Sequence, residues 1–178
     1  LRSSWSARKS TEPPSMMSVP RPAMLVATVT APLWPAIATI LASSACTFAL
    51  TEARLGLAPS IISLTLLPRM TDRAAGRYFL TGQTFDAQMA VAVGLLTEAA
   101  AADAALDALV DDAIAGIRRS SPQGLAASKR LTTAAILADF DSRATKLAQE
   151  SLALFGSAEA REGMAAFLGK RKPSWDLS

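Results

Sequence analysis

The sequence predicts an α/β chain that is predominantly α-helical, with short strands between helices. Three observations predict it. Alanine is abundant while aromatic residues are only 6% of the 178 residues, which favours helix over strand. From residue 51 onward apolar residues recur at helical spacing. Helix starts and stops also follow one another in order along that stretch.

Residues 1–22 are rich in Ser, Pro and Arg and show no hydrophobic period, so they read as a disordered arm. Residues 23–50 contain no charge. Behind a basic arm this apolar run mimics an export signal or a membrane anchor. Pro32 and Pro35 would break such a helix, and Ala, Thr and Ser dilute its hydrophobicity, which counts against a membrane span.

Residues 59–67 fit a buried helix. Thr71 or Asp72 can cap a helix through about Leu80, with Gly82 as its stop. Asp86 can cap a short helix ending at Gly94, and Leu95-Leu96-Thr97 reads as a short strand. Asp103 can cap a helix in which Leu106, Leu109, Val110, Ala113, Ile114 and Ile117 fall at i, i+3, i+4, i+7, i+8 and i+11. Acids at its start and Arg118-Arg119 at its end match the helix dipole. Ser121-Pro122 is an N-cap with proline at the first helical position, opening a helix to about Ala138. The next helix presents Phe140, Ala144, Leu147, Ser151, Leu152 and Phe155. Ser157 caps a last helix with Met164, Phe167 and Leu168 on one face. No internal repeat is visible.

Composition excludes several chemistries. The chain has no histidine, which removes Ser-His-Asp and Cys-His catalysis and His-containing zinc sites. A general acid or base must be a carboxylate, Lys, Tyr or the thiol. The lone Cys46 makes no internal disulfide, needs no oxidising compartment and reads as a small buried hydrophobe. The formal net charge of +3 forms no basic stripe with interleaved aromatics, so no nucleic-acid partner is expected. It suits an anionic ligand such as a phosphorylated cofactor.

Five segments resemble the enoyl-CoA hydratase/isomerase (crotonase) family. Residues 47–59, Thr-Phe-Ala-Leu-Thr-Glu-Ala-Arg-Leu-Gly-Leu-Ala-Pro, are similar to the family segment with a catalytic glutamate. Residues 78–87 resemble its leucine-threonine-glycine helix junction, and Gly94-Leu95-Leu96 its following strand. Pro122 with Lys129 resembles the penultimate helical hairpin. Residues 160–168 with Lys170-Arg171-Lys172-Pro173 resemble the C-terminal signature.

The resemblance covers residues 40–178, the C-terminal part of a crotonase-like domain. Residues 1–39 stand apart as an atypical N-terminal segment. It implies a crotonase-like spiral with a helical trimerisation region, a homo-trimer or hexamer, and an acyl-CoA substrate with no separate cofactor. It implies hydration of a 2-enoyl-CoA in fatty-acid metabolism, with Glu52 as general acid/base and Lys170, Arg171 and Lys172 near the CoA phosphates. Cytoplasmic localisation is the matching expectation. In the family two backbone N–H groups upstream polarise the thioester carbonyl. The corresponding residues 28–39 contain no glycine, and the family's other glutamate has no match there. After Pro59 the sequence runs Ser60-Ile61-Ile62-Ser63 where many hydratases have paired glycines. A second reading therefore stands beside the enzyme: a catalytically inactive crotonase fragment that mediates oligomerisation or weak CoA binding.

Overall fold

The computed structural model describes residues 24–25, 39–138 and 140–178. The disordered arm and most of the apolar stretch expected within residues 1–39 lie outside these residues.

Two small sheets organise the first part of the fold. Strand β1 (Met24–Leu25) runs antiparallel to β2 (Leu41–Ser43), and β2 runs parallel to β5 (Glu98–Ala100) with Leu41 opposite Glu98. Strand β3 (Thr47–Phe48) pairs antiparallel with β4 (Phe85–Asp86). Between them come a single 3-10 turn at Glu52–Leu55, helix α1 (Ser60–Leu66), helix α2 (Asp72–Thr81) and helix α3 (Ala87–Ala92). Four longer helices complete the chain: α4 (Asp103–Arg118), α5 (Pro122–Leu137), α6 (Phe140–Phe155) and α7 (Ala158–Leu168).

The main core gathers Ala42, Cys46, Leu50, Leu66, Met70, Tyr78, Phe85, Val93 and Leu96. Cys46 is buried as its apolar neighbours require, and Tyr78 stacks on Phe85 with ring centroids 4.0 Å apart. Helix α4 covers the other side of the parallel pair, placing Leu106 against Leu41 and Ala100.

Local chemistry explains most element ends. The Asp86 carboxylate accepts from Met89 N–H at 2.7 Å, Ser121 Oγ from Gly124 N–H at 3.1 Å, and Ser157 Oγ from Ala160 N–H at 3.0 Å. Gly82 ends α2 in the left-handed region at φ 58°.

Three expectations need correction. Leu95 to Thr97 form no strand. Leu95 and Leu96 N–H both donate to Ala90 O and close α3, so the ladder begins at Glu98. Asp103 is the first helical residue of α4, and its cap is Ala102, with no side-chain bond. Helix α1 is only partly buried, since Ile61 and Ile62 face outward. Helix α7 buries its small face, Ala160, Gly163 and Ala166, and exposes Phe167 and Leu168. Close backbone contact with the 3-10 turn selects that face.

Candidate functional site

Glu52 opens the 3-10 turn and is half-buried. Among the described residues its carboxylate accepts no hydrogen bond and makes no ion pair, so its oxygens stay available for chemistry. Its backbone is held firmly. Glu52 O accepts from Leu57 N–H at 3.0 Å and from Gly56 N–H, which also reaches Ala53 O. Gly56 stands at φ 70°, where a side chain would be strained.

Two elements brace this turn. On one side Arg54 Nε donates to Thr81 O at 3.0 Å, satisfying a carbonyl at the end of α2. On the other side α7 meets the turn backbone to backbone. A Cβ on Gly56 would stand 2.7 Å from the Glu159 carbonyl carbon, and a Cβ on Gly163 would stand 2.5 Å from that of Leu55. Non-bonded atoms do not approach so closely, so both positions exclude a side chain.

The three predicted cations follow α7 directly and are exposed. They are not equivalent. Arg171 forms a two-point salt bridge with Glu162, Nη1 to Oε1 at 2.7 Å and Nη2 to Oε2 at 2.8 Å. Ser174 N–H adds a third bond to that carboxylate at 3.1 Å. Arg171's hydrogen bonds, with Ser174 behind them, hold the Glu162 carboxyl below its ordinary range, and Glu162 raises Arg171 in turn. Lys172 Nζ donates to Ser178 O within the tail. Lys170 sits in the left-handed region at φ 48° and has no side-chain partner among the described residues.

The tail links the two groups. Bonds from Ser178 lower the Asp176 carboxyl most, and both Lys172 and Arg54 pull it in the same direction. Asp176 thus feels the charge of one cation from the basic tail and one from the turn of Glu52. Residues 28–39, which correspond to the family's oxyanion-hole stretch but contain no glycine, fall almost wholly outside the described residues. An open apolar cavity of about 380 Å³ over α2, lined by Leu67, Ala75, Phe79 and Leu80 among others, contains none of the predicted site residues. Among the described residues no group of acids and thiol could hold a metal ion, and no helix is long and apolar enough to cross a membrane.

Sequence reasoning missed Gly56, Gly163, Glu162 and Arg54 as parts of this arrangement. One signal was present. A glycine inside an otherwise helical pattern costs about 1 kcal/mol against alanine, so Gly163 in mid-helix calls for a packing reason.

The turn, the helix junctions and the short strands are in the order of a crotonase-like domain. The chain belongs to the enoyl-CoA hydratase/isomerase family, whose model matches residues 36–177. Among solved structures it is similar to an enoyl-CoA hydratase from Mycobacterium avium, at 58% identity and a TM-score of 0.73, covering 78% of this chain and 54% of that one. It is also similar to a carnitinyl-CoA dehydratase from Mycobacterium avium 104, at 28% identity and a TM-score of 0.67, covering 79% and 56%. An enoyl-CoA hydratase/isomerase from Pseudoalteromonas atlantica T6c matches at 26% identity and a TM-score of 0.70, covering 77% and 55%. The chain thus spans about half the length of these solved structures. No curated protein matches it.

Proposed function

We propose that this chain supplies the acid–base and CoA-binding part of a 2-enoyl-CoA hydratase of fatty-acid metabolism. One observation carries the reading: a half-buried carboxylate without a partner among the described residues, on a braced turn, in a chain 58% identical to an enoyl-CoA hydratase over 78% of its length. Glu52 moves a proton between water and an acyl-CoA carbon, which requires a carboxylate that no cation has already claimed. Lys170, and Lys172 once it leaves Ser178, meet the CoA phosphates, with Arg171 holding the tail in place. The CoA thioester is itself the substrate, and the reading calls for no separate cofactor.

Self-association into a trimer or hexamer belongs to the same reading. Leu131, Leu152, Phe155, Phe167 and Leu168 are exposed on α5, α6 and α7, a surface that a further copy would cover. A cytoplasmic location is part of it too.

Hydration of crotonyl-CoA tests the proposal. Turnover is expected in the wild-type chain and is expected to vanish in Glu52→Gln. Undiminished turnover in that variant removes Glu52 from the chemistry. No hydration at all, together with a defined oligomer by light scattering, favours a non-catalytic, self-associating protein.

A further inference from the structure

We propose that Gly163 is a positioning residue for Glu52. Helix α7 fixes where that carboxylate stands, and only a residue without a side chain at 163 permits the contact. The inference rests on the acid–base reading of Glu52 above.

The contact is between main chains. A Cβ on Gly163 would stand 2.5 Å from both the carbonyl carbon and the oxygen of Leu55, and 2.8 Å from its Cα. No flexible side chain lies there to give way. One turn earlier along α7, a Cβ on Gly56 would likewise stand 2.7 to 2.9 Å from the Glu159 carbonyl and the Ala160 nitrogen. Two successive residues of the turn are therefore registered against α7.

The path to Glu52 is short. The Gly56 and Leu57 amides both donate to Glu52 O, so the peptides that α7 touches are bonded directly to the Glu52 backbone. The four-residue turn is the weaker partner. Helix α7 has eleven residues, a Ser157 cap and the buried side chains of Ala160 and Ala166. A methyl group at 163 therefore moves the turn and leaves the helix in place. Restoring an ordinary contact requires a shift of roughly 1 Å, a displacement that costs about 100-fold in rate when a reacting group is misplaced.

Two measurements test this. In the wild-type chain, native-state hydrogen exchange should show the Leu57 and Gly163 amides opening together, with one denaturant dependence. In Gly163→Ala, crotonyl-CoA hydration should lose about 100-fold in kcat with KM within about twofold. Ala166→Gly loosens the same buried helix face without adding an atom at the contact, and it should keep its kcat. Turn amides that exchange independently of α7 overturn the proposal. So does wild-type kcat in Gly163→Ala, or loss of kcat in both variants in step with their stability. If Gly163→Ala fails to fold, the wild-type exchange experiment alone decides. Wild-type protein that hydrates nothing yet opens turn and helix together overturns the acid–base reading, and still supports the coupling of the Glu52 turn to α7.

Discussion

Arg171 and Glu162 meet at two points, 2.7 and 2.8 Å apart, so the middle cation of the basic turn is already engaged within the chain. Lys172 is tied to Ser178, which leaves Lys170 as the cation of the three without a partner among the described residues. Lys170→Ala is therefore expected to weaken the binding of free CoA by roughly fivefold, as for one exposed charge pair. Arg171→Ala should chiefly release the tail. Calorimetry at two salt concentrations checks this, because a phosphate contact made by Lys170 must weaken with salt. Equal losses in the two variants would show that Arg171 leaves Glu162 for the ligand.

The same pair makes the tail sensitive to acid. Glu162 is held below its ordinary value of 4.5, first by the Arg171 hydrogen bonds. A lowered folded value means the unfolded tail binds the proton more readily. The stabilisation is then fully present above the ordinary carboxylate value and is lost as pH falls through the lowered one. After correction for intrinsic rates, exchange of the Ser174 amide should be constant near neutrality and accelerate only in acid below 4.5. Glu162→Gln should exchange quickly throughout and lose this dependence.

Phe85 joins the two halves of the aromatic cluster, with ring centroids 4.0 Å from Tyr78 and 5.9 Å from Phe48. Phe85→Ala removes a buried ring that β4 cannot collapse to replace. It should cost about 3–5 kcal/mol. At about 2–4 °C per kcal/mol, calorimetry should show a fall in Tm of roughly 10 °C. A fall under about 3 °C would mean the cluster is loosely packed.

Much of the fold was legible because its signals are local. Asp86, Ser121 and Ser157 cap through the i to i+3 bonds that their types favour, and the period from Leu106 to Ala113 faces the parallel strands. The errors arose where apolar pattern does not settle which backbone groups bond. Leu95 and Leu96 are apolar and look like strand, but the stop that closes α3 consumes their N–H groups at Ala90 O. Phe167 and Leu168 share a face of α7 by spacing alone, and it is the turn at Leu55 that selects the glycine face for burial, because backbones approach closest there. Glu52 could be named from the sequence, while its bracing by Arg54, Gly56 and Gly163 depends on tertiary contacts that no spacing rule encodes.

The caps separate two residues that the sequence treats alike. Ser157 accepts the Ala160 N–H, whereas Asp103 accepts nothing and acts only through the dipole of α4. Ser157→Ala should cost about 1 kcal/mol, and Asp103→Ala about 0.5 kcal/mol or less. The Asp103 effect should shrink in high salt while that of Ser157 persists, since screening acts on charge and not on a neutral hydroxyl bond. Urea melts at low and high salt make the comparison.

The last prediction concerns the outer face of the helical region. Leu131 is 79% exposed, Leu152 75%, Phe167 70% and Leu168 80%. Under the proposed self-association, these side chains on α5, α6 and α7 are what a further copy covers. The wild-type chain should therefore scatter light as a defined oligomer. Phe167→Lys with Leu168→Lys should shift it to the mass of one chain. The sign of the stability change tells association from folding. These side chains lie outside the core of the single chain, so the charged variant should unfold at nearly the same urea concentration as dilute wild-type protein. The wild-type midpoint should rise with concentration, and that of the variant should not, because only an associating fold is stabilised by mass action. A wild-type chain that stays monomeric at high concentration, with a concentration-independent midpoint, would remove self-association from the proposed function and leave the exposed face without that role.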